Sequence, residues 1–154
     1  MNANRNFEDR LGRLVAWYGD GADGSSPTQK QWRHIMSRPA DGPVTLVNFF
    51  KLREQALYRD EAIAPNVPGS GKDAFDRYAA VSIPTMEKVG GRFLLVSPFE
   101  ANFVGEVEDW DLVVVGAFPS TDVLLSLWED ADYHAVYPHR TAACDRQKVV
   151  VCGG

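Results

Sequence analysis

The sequence predicts an α+β domain with the element order strand, helix, strand, strand, helix, strand, and three observations carry that prediction. The run VTLVNFFKL, residues 44–52, is rich in β-branched and aromatic residues, the composition of a strand. Two further apolar runs, 93–104 and 110–118, flank the acidic turn GEVED as the arms of an antiparallel hairpin do. Helical spacing opens at Ser70 before the hairpin and at Ser120 after it. This order is the split arrangement called ferredoxin-like.

Taken in order, the chain begins with a helical stretch in which Phe7, Leu11, Leu14, Val15 and Tyr18 share one face, with Glu8 and Asp9 near its positive end and Gly19 closing it. The GDGADGSS stretch follows. Ser26, Pro27 and Gln29 then fit the N-cap, N1 and N3 of a capping box, with Trp32, Ile35 and Met36 as an apolar face before Pro39. Two helices this short have too little apolar surface to stand alone, so residues 1–40 read as an N-terminal helical extension docked on the main domain, residues 41–154. The turn at Asp41 leads into the first strand, and residues 53–70, with Pro65, Pro68 and Gly69, read as loop. Ser70 and Asp73 open a helix that Pro84 should kink and Gly90 and Gly91 should end. After the hairpin come a helix over residues 121–128, an aromatic and basic segment, and a last strand around residues 148–152.

The strands are apolar on both faces. Leu46, Asn48 and Phe50 point one way and Val47, Phe49 and Lys51 the other, while the helices of such a fold cover one face only. The bare face calls for a cover, either the same face of a second subunit, which would close the two sheets into a barrel, or in part the N-terminal helices. The chain is therefore expected to be a homodimer.

Composition narrows the function classes. A formal charge of -5 and the absence of a Lys/Arg stripe argue against a nucleic-acid partner. The polar start MNANRNFEDR lacks the basic and apolar regions of a secretory signal, and no apolar run approaches the ~20 residues of a membrane span, so neither export nor a membrane partner is expected. Cys144 and Cys152 are the only cysteines and read as reduced thiols of a cytoplasmic protein.

Phosphate-binding look-alikes fail on context. Gly19, Gly21 and Gly24 satisfy G-x-G-x-x-G but follow a helix, beside Asp20 and Asp23; Gly71 and Lys72 echo a P-loop but Asp73 replaces its hydroxyl residue. His134 and His139 are five apart, off the spacing of a paired metal site, and the acids of the GEVED turn read as a solvated tip; no metal and no cofactor are expected. Asn48, by contrast, is a polar group in a strand of Leu, Val and Phe and must find a partner.

On VTLVNFFKL, FDRYAAVSIPTMEKVGGRFL, WDLVVVGAFPS, SLWEDADYHAVYPHR and the terminal VVVCGG, the sequence resembles a widespread group of small bacterial proteins of dimeric α/β-barrel fold known as a domain of unknown function. The resemblance covers about residues 42–154. It implies a ferredoxin-like fold, dimerisation, and relatedness in fold to cofactor-free monooxygenases, isomerases and EthD-like proteins, and it supplies no catalytic residue. Where the group often carries an acid before the FPS turn, this chain has Gly116 and Ala117.

The resulting expectation is a metal-free homodimer that admits a small apolar or aromatic molecule, with or without acting on it. Asn48, Phe50, Arg77, Tyr78 and Tyr133 are the expected binding residues. If the protein is an enzyme, His134 is the expected acid or base and Arg140 or Arg77 the holder of an anionic group or developing oxyanion. The rival expectation is a non-catalytic dimeric module in which the same residues only satisfy the fold.

Overall fold

The computed structural model describes residues 2–154. Helices α1 (Asn2–Tyr18) and α2 (Gln29–Met36) precede β1 (Val44–Leu52), α3 (Gly71–Val89), β2 (Arg92–Pro98), β3 (Leu112–Phe118), α4 (Thr121–Trp128), α5 (Ala131–Ala143) and β4 (Cys144–Gly153). Among the described residues the fold is mixed α+β, with five helices and one four-stranded sheet of order β2-β3-β1-β4. Every pairing is antiparallel. β1 is central: Asn48 lies opposite Val114 of β3 and Val149 of β4, so it sits mid-sheet.

Local chemistry sets most boundaries. Ser70 accepts from the Asp73 amide while the Asp73 side chain accepts from the Ser70 amide, a complete capping box at the start of α3. Gly90, at φ 104°, caps the other end in a left-handed conformation that glycine takes without a Cβ penalty. Gly71 is demanded by packing, since a Cβ there would lie 2.2 Å from the Arg53 carbonyl oxygen. Pro84 sits inside α3 without ending it.

Five boundaries differ from the sequence reading. α1 begins at Asn2 with no acid in its first turn, so Glu8 and Asp9 lie well past its positive end. The cap of α2 is Thr28, which forms the box with Gln31, in place of Ser26 and Gln29. β2 stops at Pro98 and β3 starts at Leu112, so the hairpin connection is the long loop 99–111 and not a tight GEVED turn. The aromatic segment is a helix of its own, α5, capped by the Asp130 carboxylate. β4 begins at Cys144, several residues before the expected Lys148.

The core lies between the sheet and the helices. Leu11, Leu14, Trp32 and Ile35 of the N-terminal helices share one buried cluster with Phe118, Leu124, Trp128 and Tyr133. Burying a leucine such as Leu14 stabilises by roughly 1.5–3 kcal/mol, which helices of this length need. Arg10 forks both carboxylate oxygens of Glu129, and the Tyr18 hydroxyl donates to the Trp128 carbonyl, fastening α1 to the end of α4.

The opposite sheet face is partly open. Loop 99–111 folds back over one end of it and buries Trp110 beside Phe49, ring centroids 5.8 Å apart. Glu108, expected in a solvated tip, instead accepts from Lys148 at 2.7 Å and from the Trp110 indole at 3.2 Å, and the Lys148 bond holds its carboxyl below the usual range. Beyond that loop, Val47, Val113 and Val115 are half-buried and Leu95 and Val150 exposed.

Candidate functional site

A cavity of about 780 Å³ lies between the sheet and the helices. Strand alternation sends Leu46, Asn48 and Phe50 into it from β1, and the register puts Val114 and Gly116 of β3 and Gln147, Val149 and Val151 of β4 on the same face. Phe75, Tyr78, Ala79, Ser82 and Met86, spaced three and four apart on α3, form the facing wall. The third wall is α2 and the linker before it, including Trp32, Ile35 and Pro27. Small residues keep the space open. Gly116 has no side chain, and a Cβ there would lie 3.1 Å from the Met86 methyl.

One end of this apolar cavity is polar. Tyr133, Tyr137 and Arg140 recur at four and three residues along α5 and so share one face, buried to 1%, 6% and 4% exposure. The Tyr78 and Tyr133 hydroxyls are 2.7 Å apart. Arg140 Nη1 donates to Tyr78 Oη at 3.2 Å, and Nε and Nη2 both donate to Gln147 Oε1, at 2.9 and 2.7 Å. Its Cζ lies 4.8 Å from the Phe50 ring centroid and 5.3 Å from that of Tyr137. Tyr137 in turn donates to the Ser25 carbonyl at 2.8 Å, which pins the linker to this end.

Electrostatics follow from burial. Desolvation pushes the Tyr133 and Tyr137 phenols well above the usual tyrosine range, so both are neutral at neutral pH. For Arg140 burial works against the charge, yet a guanidinium, with its ordinary value of 12.5, stays protonated at neutral pH all the same. Arg140 is thus a buried cation.

Five of the sequence-predicted residues therefore meet here: Asn48, Phe50, Tyr78, Tyr133 and Arg140. Asn48 donates to the Val114 carbonyl at 3.0 Å, and among the described residues its side-chain oxygen takes no hydrogen bond. Arg77 and His134 are elsewhere. Arg77 donates to Tyr58 Oη at 3.1 Å and to the Pro68 carbonyl at 3.0 Å, tying the 53–70 loop to α3. His134 stacks on Trp17 with centroids 4.1 Å apart and lines a separate cleft of about 270 Å³ with Tyr58 and Pro138. Next to it, His139 Nδ1 and Tyr58 Oη are 2.7 Å apart, and burial, with Arg77 nearby, lowers the His139 pKa.

Sequence reasoning missed Tyr137, Gln147 and the Trp32 wall. A helix assigned to residues 131–143 would have aligned Tyr137 with Tyr133 and Arg140, and a strand begun at Cys144 would have put Gln147 on the Val149 face. Nothing in the sequence aims α2 at the sheet.

Among the described residues no three His, Cys, Asp or Glu side chains cluster as metal ligands, and no helix is long and apolar enough to cross a membrane. Cys144 and Cys152 are both free; burial pushes the Cys144 thiol up to about 11, which leaves it protonated and inert at neutral pH.

The model of a family described as a domain of unknown function (DUF1330) matches residues 66–154. Two solved structures are similar over most of the chain. The crystal structure of methylated RPA0582 protein is 25% identical, with a TM-score of 0.74, over 84% of this chain and 93% of that one. That of RPA0582, a protein of unknown function from Rhodopseudomonas palustris, is 25% identical with a TM-score of 0.73, over 84% of this chain and 95% of that one. No curated protein matches. The family range takes in Tyr78, Tyr133, Arg140 and Gln147 but not β1 or the N-terminal helices.

Proposed function

Taking as premise that this chain belongs to the DUF1330 family, we propose that it is a homodimeric small-molecule-binding protein whose ligand occupies the cavity between sheet and helices. The observation that carries the reading is an apolar space of about 780 Å³ with one convergent polar end, at Tyr78, Tyr133, Arg140 and Gln147. Ligand sites of ~300–1,000 Å³ are built this way, apolar walls giving affinity and a few polar groups fixing orientation. Asn48, its oxygen without a donor, adds a second directing group.

Binding is favoured over cofactor-independent turnover of the monooxygenase or isomerase type by the composition of the wall. Among the described residues no carboxylate lines the cavity, its histidine, His34, is exposed on α2, and the buried Tyr133 and Tyr137 phenols resist ionisation. A proton abstraction would lack a base poised near neutrality. Two free thiols suit a reducing cytoplasm.

The assembly is read from the far sheet face. Val47, Val113, Val115, Leu95 and Val150 form a contiguous apolar surface on a subunit whose helices cover the other side, and an isologous copy of that face would bury it and close a ferredoxin-like dimeric barrel. Val115→Asp should convert a dimer to a monomer in light scattering after gel filtration; a monomeric wild type would refute the assembly.

The cavity is tested with the neutral dye N-phenyl-1-naphthylamine, followed by its own emission and by quenching of tryptophan. Saturable binding is expected, and Ala79→Phe, which fills the space from α3, should weaken it at least about tenfold. Equal binding by the two proteins, or none by the wild type, would remove the cavity as a ligand site.

A further inference from the structure

We infer that the ligand of this cavity is a small monocarboxylate with an apolar body, its carboxylate held by Arg140 between Tyr78 and Tyr133. The inference rests on the cavity reading and assigns the class of molecule that fills it.

Arg140 carries an unbalanced charge. Arg140 is 4% exposed, yet every partner of its guanidinium is neutral: Gln147 Oε1, Tyr78 Oη and, at 3.5 Å, Tyr133 Oη. Other arginines with only neutral partners, Arg38 and Arg77, reach solvent, and several of the rest pair with acids. Arg10 takes Glu129, Arg33 takes Glu8 and Arg59 takes Asp23. A chain with 21 acidic residues and a net charge of -5 nevertheless places none of them on the wall of this cavity. Burying a guanidinium costs several kcal/mol unless an anion accompanies it. The protein supplies the cation and the ligand is left to supply the anion.

Geometry selects the anion. Gln147 Oε1 accepts from both Nε and Nη2, the edge that a carboxylate takes with two parallel bonds, so a ligand carboxylate replaces the Gln147 amide there. Nη1 and one phenol proton, the other being spent between the two hydroxyls 2.7 Å apart, make a second set of donors beside it. That set suits a planar monoanion. A phosphate dianion would keep one charge without a partner, because Lys148 turns its side chain to the opposite sheet face, its ammonium on Glu108 at 2.7 Å, while Lys30 is exposed. The remaining wall, including Trp32, Phe75, Met86 and Phe93, offers an apolar body van der Waals contact and few hydrogen bonds.

Calorimetry on the full chain with 2-naphthoate, 2-naphthamide and 2-naphthyl phosphate tests the assignment. The acid should bind at least about tenfold more tightly than the amide of the same shape, about 1.4 kcal/mol, and more tightly than the phosphate. Arg140→Met, its folding checked by cooperative melting, should abolish the preference for the acid, and Arg140→Lys should retain part of it. Equal affinity for acid and amide in the wild type, tighter binding of the phosphate, or a preference that survives in folded Arg140→Met would overturn the monocarboxylate. The wild-type comparison decides even if the methionine variant does not fold. Failure of all three naphthalenes and of N-phenyl-1-naphthylamine would instead defeat the cavity reading on which the assignment rests.

Discussion

Helix α5 carries two chemistries on its two sides. Facing the sheet, Tyr133, Tyr137 and Arg140 are almost fully buried, and their polar atoms are joined to Tyr78, Gln147 and Ser25 around a cavity. Facing outward, His134 stacks on the exposed Trp17 and lines a surface cleft with Tyr58, which His139 meets from beside it. The two sets alternate within eight residues of sequence, so residue type alone gives no means of sorting them; the helical period does. It turns one cluster of aromatic and basic residues into a ligand-sized site on one side and a clamp for the N-terminal helix and the 53–70 loop on the other.

The comparison is tested most severely at Tyr133. Its ring packs edge-on against Trp128 and Tyr78, with centroids 5.3 and 5.8 Å away, and it is 1% exposed. Tyr133→Ala should cost about 3–5 kcal/mol in urea unfolding, the range for deleting a large buried aromatic side chain. Tyr133→Phe keeps the ring and loses one hydroxyl, so about 1 kcal/mol is expected. A loss below about 1 kcal/mol for the alanine variant would mean that the inner face is not core at all.

That inner face was only half legible in the sequence. The bounds of β1 and α4, and the Ser70 box and Gly90 cap of α3, could be read because each rests on local signals: a β-branched run, a hydroxyl three residues before its acceptor partner, a glycine where φ turns positive. α5 hid because its buried face is polar. Tyr137 and Arg140 point inward while Ala131 and Ala135 point out, so the segment lacks an amphipathic stripe, and Pro138 inside it reads as a breaker. β4 hid for a related reason: Asp145, Arg146 and Lys148 are suited to an edge strand, where charge blocks further pairing, and such residues look like loop. Asn48 and Tyr78 could be picked out as polar groups in apolar surroundings. The α2 wall could not, since only tertiary packing aims Trp32 at the sheet.

The outer face should answer to smaller changes. Tyr58 Oη meets His139 Nδ1 at 2.7 Å and accepts from Arg77, so Tyr58→Phe should cost about 1–2 kcal/mol and loosen residues 53–70 to hydrogen exchange before the rest of the domain. Acid acts on the same cluster. Burial, then the Arg77 charge, sets the His139 pKa below the ordinary 6.5, so protonation is taken up more readily by the unfolded chain. The associated stability is complete above the ordinary value and is lost as pH falls from there towards the folded pKa. Melting temperatures at pH 7.5 and 5.5 should show that loss, and His139→Gln should reduce it. Carboxylates whose pKa values are lowered, such as Glu108, begin to lose their contribution only near the ordinary 4.5 and do not confuse this window. A drop of the same size in His139→Gln would place its source elsewhere.

His134→Ala should have the smallest effect, and it separates the two faces most cleanly. The ring is half-buried, lies 15° from parallel with the Trp17 indole, and has Nε2 3.3 Å from the Trp17 carbonyl oxygen. Losing an exposed stack and one long hydrogen bond should cost no more than about 1 kcal/mol. A histidine is the residue type that sequence reasoning makes an acid or base, because its pKa lies near neutrality. Position decides otherwise here: one residue further along α5 than Tyr133, His134 is turned roughly 100° away from the cavity and has the helix between itself and any ligand there. Binding of N-phenyl-1-naphthylamine and of 2-naphthoate should therefore be unaltered in His134→Ala within twofold, while Trp17 fluorescence changes with the loss of its stacked neighbour. A tenfold fall in affinity without a comparable fall in stability would show that the two faces of α5 are coupled, and the division drawn between site and clamp would then fail.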